Sequence, residues 1–321
     1  MKLIVTIDTE EDNWGNYIPK GYSLGNISQI PAVQDLFDEF DILPTYLITY
    51  SVATDPSSSS ILRRILDRGR CEIGMHCHPW HTPPLEEKSS EENSMLCNLP
   101  GDLQFRKIER LHEAIVKSFD IAPLSFRAGR WGHSKDVAAA LSKLGCKVDS
   151  SILSLVDWTR FYGPNFSNAF PDPYWFNPEE IFRPDAAGKL LEVPATVGFT
   201  QTNFQFSNDL FNFLQRDPFH RLRLIGLLDK LGLLNKIWLS PEQARGDEMI
   251  ALAKTFLKKK APLINLYFHS PTLQPGLTSY VQTEGDKQAF IEKLRMFFSF
   301  TKEAGIESIR LSDAVSVVPS C

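Results

Sequence analysis

The sequence predicts an α/β protein whose fold is an irregular (β/α) barrel of about seven or eight parallel strands. Short apolar runs of strand length alternate with amphipathic helical patterns along most of the 321 residues. This alternation is typical of parallel strands joined by crossover helices. In addition, ionisable residues directly follow most of the apolar runs. The number of units favours a closed barrel, and an open doubly wound sheet is the nearest alternative.

Each predicted strand is a short apolar run, and each predicted helix has apolar residues at helical spacing, as Val33, Leu36 and Phe37 do in the first one. In chain order the predicted strands are Leu3–Ile7, Tyr46–Tyr50, Cys71–Gly74, Leu124–Phe126, Lys147–Val148, Leu190–Val193, Leu263–Phe268 and Glu307–Arg310. The predicted helices are Gln29–Phe40, Ile61–Asp67, Phe105–Phe119, Val137–Leu144, Glu242–Leu257 and Lys287–Ala304. Gly69 and Gly145 end the second and fourth of these helices.

Two segments depart from this alternation. Trp158–Pro184 has no periodicity and is rich in proline, aromatic residues and asparagine, which predicts a long functional loop. Asn208–Leu234 is apolar and helical with no strand, so we expect an extra helical segment near 208–234 that covers the barrel or meets a membrane surface or partner protein. Both segments are expected to belong to one barrel domain that spans residues 1–321.

Composition excludes several classes of protein. The net charge is −5 and no long basic stripe is present, so nucleic acid is not an expected partner. No run reaches about 18 apolar residues, so no transmembrane span is expected. Five scattered cysteines without CxxC spacing favour reduced thiols, and the first apolar run is too short for a signal peptide. A cytoplasmic location is therefore expected.

Ionisable residues at the ends of the predicted strands should meet in space. The carboxyl ends of the strands of a parallel barrel open onto one face, where active sites of such barrels lie. The residues that follow a predicted strand, or lie at its end, are Asp8, His76, Arg127, Asp149, Glu192 and His269. We therefore expect these six side chains, which are far apart in the sequence, to line one site.

Two local clusters indicate a metal site. Asp8 and Glu10 alternate on one side of an extended chain, so that one can bind a cation while the other faces substrate. His76 and His78 have the same spacing and point to the same side of a strand end. Two histidines and one carboxylate suit Zn²⁺, Co²⁺ or Fe²⁺. His81 is the alternative second histidine, and a solvated acidic turn with structural histidines is the alternative to a metal site.

These clusters belong to five short motifs that occur in a fixed order. The motifs are residues 8–10 (DTE), 74–80 (GMHCHPW), 126–132 (FRAGRWG), 149–151 (DSS) and 268–271 (FHSP). In this order they resemble the motifs of NodB-like polysaccharide deacetylases, and the chain looks closest to the WalW-like branch of that family. The resemblance implies an irregular (β/α) barrel and a metal-dependent hydrolase that removes N-acetyl groups from sugars.

Two positions depart from the family pattern. Thr9 stands where typical members have the second of two aspartates, and Trp80 stands where they have the second histidine. The resemblance therefore assigns the metal to Glu10, His76 and His78, in the manner of members that use an acid-x-acid arrangement. Zn²⁺ is the expected ion, with Co²⁺ or Fe²⁺ as alternatives.

The resemblance and metal chemistry together imply a role for each remaining residue. Asp8 would act as the general base, His269 as the general acid, and Arg127 would keep Asp8 ionised. Trp80 and Trp131 are expected to be walls of the substrate site. Asp149 is expected beside them, where it secures Arg127 or a metal-bound histidine, and a helix cap is its alternative role.

Three functions fit these residues. The first is a metal-dependent hydrolase that removes an N-acetyl or N-formyl group from an amino sugar of a glycan or lipid-linked oligosaccharide, with contact to a membrane surface or a glycosyltransferase. The second is an allantoinase-like hydrolase of a non-sugar C–N bond. The third is a catalytically silent barrel that binds a glycan or a partner protein, which Thr9 and Trp80 motivate.

Overall fold

The computed structural model of the chain describes residues 1–13, 15–17, 20–216 and 224–319. The strands are β1 Lys2–Thr9, β2 Thr45–Ile48, β3 Glu72–Cys77, β4 Ser125–Ala128, β5 Val148–Asp149, β6 Tyr174–Phe176, β7 Leu190–Glu192, β8 Val197–Phe199, β9 Lys236–Trp238 and β10 Leu263–His269. The α-helices are α1 Ile30–Glu39, α2 Tyr50–Thr54, α3 Pro56–Asp67, α4 Gly101–Phe119, α5 Lys135–Lys143, α6 Phe204–Leu214, α7 Leu224–Lys230, α8 Gly246–Lys258 and α9 Glu284–Glu303. Short 3₁₀ helices occur at Gly25–Gln29, Glu92–Ser94, Leu96–Asn98, Gly129–Trp131, Thr159–Phe161, Pro178–Glu180, Ser270–Leu273 and Ser312–Ser316.

A curled sheet of eight strands forms the centre of the molecule. Its strand order is β10-β1-β2-β3-β4-β5-β7-β6, and all neighbouring strands are parallel except β6, which is antiparallel to β7. The predicted α/β class and the mostly parallel barrel are confirmed. Strand β6 lies inside the 158–184 segment, which the sequence pattern predicts to be a loop. A separate two-stranded antiparallel sheet consists of β8 and β9.

The chain after β7 bridges the gap between the two ends of the parallel set. The Ala195 amide donates a hydrogen bond to the Ile152 carbonyl, whereas the Thr196 amide donates to the carbonyl of Asn265 in β10. The Asn265 amide in turn donates to Thr196 Oγ1, at 2.8 Å. These bonds replace a regular ladder at this point, which explains why the barrel is irregular.

Apolar side chains pack on both faces of the sheet. The large outer core lies between the sheet and the surrounding helices and includes Ile7 and Phe126. A smaller inner core, which includes Ile4, Leu47, Val148 and Leu191, fills the barrel interior below the site. Because side chains alternate along a strand, Asp8 shares the inner face with Ile4.

Strand register places the predicted polar residues at one end of this interior. Asp8 in β1 pairs with His269 in β10, and His76 in β3 pairs with Arg127 in β4. Paired residues of parallel strands lie side by side, and all four lie at the carboxyl ends of their strands. The fold therefore brings together residues that are up to 261 positions apart in the sequence, from 8 to 269.

Three predicted elements differ in the structure. The predicted strand Glu307–Arg310 is reduced to an isolated bridge between Ser308 and Leu3. The predicted helix at Glu242 begins only at Gly246, because the Glu248 carboxylate accepts a hydrogen bond from the Arg245 amide and starts the helix there. In the predicted helical segment 208–234 the structure has α6 and α7, and residues 217–223 lie outside the described part of the chain. No helix among the described residues is long and apolar enough to cross a membrane.

Candidate metal centre

A cavity of about 410 Å³ opens at the carboxyl ends of the parallel strands. Such a volume lies within the range of small-molecule sites in proteins. The predicted residues that line it are Asp8, Glu10, His76, His78, Trp80, Trp131 and His269, and His81 also lines it. Its wall is completed by aromatic residues that include Tyr17, Trp158 and Tyr267.

Glu10, His76 and His78 converge at the floor of this cavity. Glu10 Oε2 lies 2.9 Å from His78 Nε2 and 3.7 Å from His76 Nε2. All three side chains are buried, and Glu10 Oε1 has no hydrogen-bond partner. Burial raises the pKa of Glu10, but the two histidines lower it to about 2, so the carboxylate is ionised.

The other ring nitrogen of each histidine is already engaged. His76 Nδ1 lies 3.1 Å from the Arg127 carbonyl, and His78 Nδ1 lies 3.2 Å from Glu11 Oε2. Because a carbonyl and a carboxylate can only accept, both Nδ1 atoms donate. Nε2 is therefore the atom of each ring that faces Glu10, and loss of its proton would leave a lone pair there for a cation. This is the arrangement that orients a metal-binding histidine. An unpartnered carboxylate oxygen and two oriented imidazoles fit a divalent cation.

Glu11 joins His78 to His81. Its Oε1 atom lies 3.0 Å from His81 Nδ1 and accepts a hydrogen bond from Thr49 Oγ1 at 2.9 Å. Burial raises the pKa of Glu11, but His78 and His81 lower it well below the ordinary value. Glu11, His78 and His81 thus form a second group of metal-ligand type, which overlaps the first group at His78.

Asp8 and Arg127 form a buried ion pair beside the Glu10 cluster. Arg127 Nη1 donates to Asp8 Oδ1 at 2.7 Å, and the guanidinium also donates to Thr6 Oγ1 and to Ser150. Burial raises the pKa of Asp8, but Arg127, with His76 and His269, lowers it below its ordinary value. Asp8 Oδ2 is left facing the cavity, 3.7 Å from His269 Nε2 and 4.0 Å from His76 Nε2.

His269 is held by a carboxylate that the strand pattern does not predict. Glu242 accepts hydrogen bonds from the His269 amide at 3.0 Å and from His269 Nδ1 at 2.9 Å, and a third from Thr272 Oγ1. Burial lowers the pKa of His269, but Glu242, with Glu10 and Asp8, raises it to about 10. At neutral pH His269 is therefore protonated and can donate a proton.

Aromatic rings form the walls above these groups. Trp80 stacks on His78 with ring centroids 4.2 Å apart, and the Tyr17 ring meets Trp80 edge-on at 5.1 Å. Trp131 also lines the cavity and lies over the Arg127 guanidinium, with its ring centroid 5.1 Å from Cζ. The cavity thus combines a charged floor with aromatic walls.

The sequence matches no protein-family model and no curated protein. Solved structures match the fold over nearly the whole chain. A candidate polysaccharide deacetylase from Mycobacterium smegmatis has a TM-score of 0.55 at 14% identity, over 99% of this chain and 92% of that chain. A candidate glycoside hydrolase or deacetylase from Parabacteroides distasonis has a TM-score of 0.60 at 12% identity, over 98% of this chain and 71% of that chain. The fold is that of the polysaccharide deacetylases. The similarity to the WalW-like branch stays a prediction.

Within this deacetylase fold, two of the residues predicted to line the site, Asp149 and Glu192, lie elsewhere. Asp149 does not line the cavity, and its side chain is fully buried against His133, with Oδ2 3.1 Å from His133 Nδ1. Its register partner in β4 is Phe126, whose side chain lies in the outer core. Because paired residues of parallel strands point to the same face, Asp149 points away from the barrel interior. Asp149 therefore lies behind the cavity wall, and no described helix begins directly after it. A role for Asp149 in substrate binding stays a prediction.

Sequence reasoning missed four further polar residues of the deacetylase-like barrel. Glu11 lies in the acidic run and no role is predicted for it, whereas Glu242 is predicted to lie inside a helix. His133 and Lys107 lie on no predicted strand end. Of these four residues, only Glu11 could have been found from the sequence. It lies in a run of three acidic residues, 10–12, whose side chains cannot all face the same way.

Lys107 holds the loop that carries His78 and His81. This lysine of α4 is fully buried, and its Nζ donates to the carbonyls of Pro79, Thr82 and Pro84 at 2.8–2.9 Å. It also pairs with the Glu87 carboxylate at 2.9 Å. Three carbonyls and one carboxylate of one loop thus share a single buried charge.

Replacing Lys107 should therefore destabilise the protein strongly. In Lys107→Met the loop keeps a similar side-chain volume but loses its cation, and we expect the free energy of unfolding to fall by about 3–5 kcal/mol. Urea unfolding measures this loss. Lys117→Met is the matched control, because Lys117 lies on the same helix with its side chain exposed, and its effect should stay within about 0.5 kcal/mol. Equal effects of the two changes would contradict the structural role of Lys107.

Proposed function

We propose that the protein is a metal-dependent hydrolase that removes an N-acetyl or N-formyl group from an amino sugar of a glycan or lipid-linked oligosaccharide. The observation that carries this proposal is the convergence of His76 Nε2, His78 Nε2 and Glu10 on one point beside the ionised Asp8 and the protonated His269. The proposal takes the chain of 1–321 as one deacetylase-like barrel with additions near 158–184 and 208–234.

Glu10, His76 and His78 are the residues that would hold the cation. We assign the cation to them rather than to Glu11, His78 and His81, because the Nδ1 atoms of His76 and His78 are both engaged as donors. Zn²⁺ suits this donor set best, and Co²⁺ or Fe²⁺ are alternatives. When bound, such a cation supplies a Lewis acid for the acyl oxygen and makes a coordinated water more acidic.

Asp8 is placed to act as the general base. Its Oδ1 is fixed by Arg127, whereas Oδ2 faces the cavity on the same side as Glu10. The lowered pKa keeps Asp8 ionised at neutral pH, so that it can accept a proton from the attacking water. Arg127 orients Asp8 and keeps it ionised through its positive charge. Hydrogen bonds to Thr6 and Ser150 hold the guanidinium in position for this role.

His269 is placed to act as the general acid. Glu242 fixes its Nδ1 as a donor, so the proton that can be transferred is the one on Nε2, which faces Asp8. Loss of the acyl group from an amide leaves an amine that must be protonated, and a protonated imidazole near it provides that proton. The two groups that move protons thus lie on neighbouring strands, β1 and β10.

The walls of the cavity favour a sugar ring as substrate. Trp80 and Trp131 both line the cavity above its charged floor, and such flat rings pack on the apolar faces of sugars. The exposed side chains of Phe206 in α6, Leu227 in α7 and Leu231 directly after α7 support contact with a lipid carrier, a membrane surface or a glycosyltransferase.

Acetate release tests the proposal. Protein loaded with Zn²⁺ should release acetate from N-acetylglucosamine oligosaccharides, and protein treated with a chelator should lose at least about 10²-fold in rate. Ring opening of allantoin-type cyclic amides to a carboxylate, with no acetate from sugars, would replace the proposal with a non-sugar amidohydrolase. Zinc-loaded protein that binds the oligosaccharides and hydrolyses none of these amides would indicate a silent barrel.

A further inference from the structure

A second group of ionisable side chains lies behind the wall of the cavity. His133, Asp149 and Glu192 are at most 2% exposed, and none of them lines the cavity. Asp149 and Glu192 are register partners in β5 and β7, and His133 follows the 3₁₀ helix after β4. One potential ligand atom from each residue lies within 4.8 Å of the other two.

One oxygen of each carboxylate is engaged and the other is not. Asp149 Oδ1 accepts a hydrogen bond from Ser151 Oγ, and Glu192 Oε1 accepts one from the Ile152 amide at 3.1 Å. Asp149 Oδ2, Glu192 Oε2 and both ring nitrogens of His133 have no hydrogen-bond partner. His133 Nδ1 lies 3.1 Å from Asp149 Oδ2 without the alignment of a hydrogen bond. Unpartnered polar atoms at such depth are rare in folded proteins.

The charges around this group are not balanced within the protein. Two carboxylates lie side by side, and Arg127, the basic side chain that acts on both, is engaged by Asp8. Burial raises the pKa of Asp149, and burial together with Asp149 raises the pKa of Glu192, whereas burial lowers the pKa of His133. Each residue is thus in an environment that opposes its charged form, and a bound cation would remove the cost for both carboxylates.

We propose that His133, Asp149 and Glu192 bind a second divalent cation, Zn²⁺, which serves as a structural metal. One imidazole nitrogen and two carboxylate oxygens are donors that Zn²⁺ accepts, and two negative ligands neutralise its charge. The ion would join the ends of β4, β5 and β7. It would thereby support Ser150, which holds the Arg127 guanidinium from this side. No residue is shared with the Glu10 cluster, so the two sites load independently.

Counting metal ions tests this second site. The full chain is unfolded in a chelator, refolded with ZnCl₂, passed through gel filtration and measured by elemental analysis. We expect about two Zn²⁺ per chain, of which a brief chelator treatment of the folded protein removes only the ion in the open cavity. Glu192→Gln should hold about one ion, which the chelator removes, whereas His78→Ala should hold about one ion that resists the chelator. His112→Gln changes a histidine outside both groups and should keep two.

The outcomes separate this site from the proposed function. Refolded wild-type protein that holds one chelator-resistant ion and no ion in the cavity would count against the hydrolase and leave the structural site standing. Wild-type protein with no chelator-resistant ion, or a chelator-resistant ion that survives in Glu192→Gln, would overturn the structural site. If Glu192→Gln does not fold, the count and the chelator resistance of the wild type decide, because they require no substitution.

Discussion

His76→Ala and His78→Ala are each expected to lose the zinc ion of the cavity and to lower kcat/KM for deacetylation by about 10³-fold or more. Each change removes one of the two imidazole nitrogens proposed as metal ligands. Glu10 Oε2 lies 3.7 Å from His76 Nε2 and 2.9 Å from His78 Nε2. A Lewis acid contributes several kcal/mol to the transition state of acyl transfer, and about 1.4 kcal/mol corresponds to a factor of ten. Elemental analysis and acetate release measure the two effects on the same samples.

His81→Ala is the matched control for these two variants. His81 lies in the same loop and contacts Glu11, at 3.0 Å, rather than Glu10. With the cation on the Glu10 cluster, His81→Ala keeps the ion and loses about 10–100-fold in activity, as variants of residues that orient a metal ligand do. If His81→Ala loses the ion and His76→Ala keeps it, the cation binds to Glu11, His78 and His81, and the assignment made above is wrong.

The sequence predicts the floor of the site well, because strand ends can be located from local patterns. Asp8, His76, Arg127 and His269 each follow or end an apolar run, and a parallel barrel leaves only one face on which such residues can meet. The prediction needs no knowledge of side-chain packing. It needs only the alternation of strands and helices, which the structure confirms.

The same reasoning fails where a residue enters the site only if its side chain points to the inner face of the sheet. Asp149 ends a strand of two residues, too short for alternation to show which side is buried, and register with Phe126 turns it outward. Glu192 ends a strand of three residues and points the same way as its partner Asp149. For such short strands the direction of a side chain comes from tertiary pairing, which no local pattern contains.

Loop residues escape prediction for a different reason. Glu242 reaches His269 because α8 begins four residues later than its apolar pattern indicates, which leaves Glu242 in the connection after β9. His133 is positioned by Arg130 and Trp131, two consecutive residues with φ of 54° and 62°. Left-handed conformations at non-glycine residues carry no sequence signal and are set by the surrounding structure.

Asp8→Asn is expected to lower kcat for deacetylation by about 10²–10⁴-fold while the cavity zinc is retained. Asn keeps the shape of the side chain but cannot accept a proton from water at neutral pH. The change also leaves the Arg127 guanidinium, which is fully buried, without its carboxylate partner at 2.7 Å. We therefore expect the free energy of unfolding to fall by about 3–5 kcal/mol in the same variant. Steady-state kinetics, zinc content and urea unfolding measure the three quantities.

Thr6→Val separates the chemical role of Asp8 from its structural one. Thr6 Oγ1 accepts a hydrogen bond from Arg127 Nη2 at 2.8 Å, and its side chain does not line the cavity. Valine has nearly the same shape but cannot accept this hydrogen bond from the buried Arg127 guanidinium. We therefore expect the free energy of unfolding to fall by about 1–3 kcal/mol. Because Asp8 stays ionised and in place, kcat should stay within about tenfold of the wild type. Equal losses of kcat in Thr6→Val and Asp8→Asn would mean that Asp8 acts only by holding Arg127, and the attacking water would then need another base.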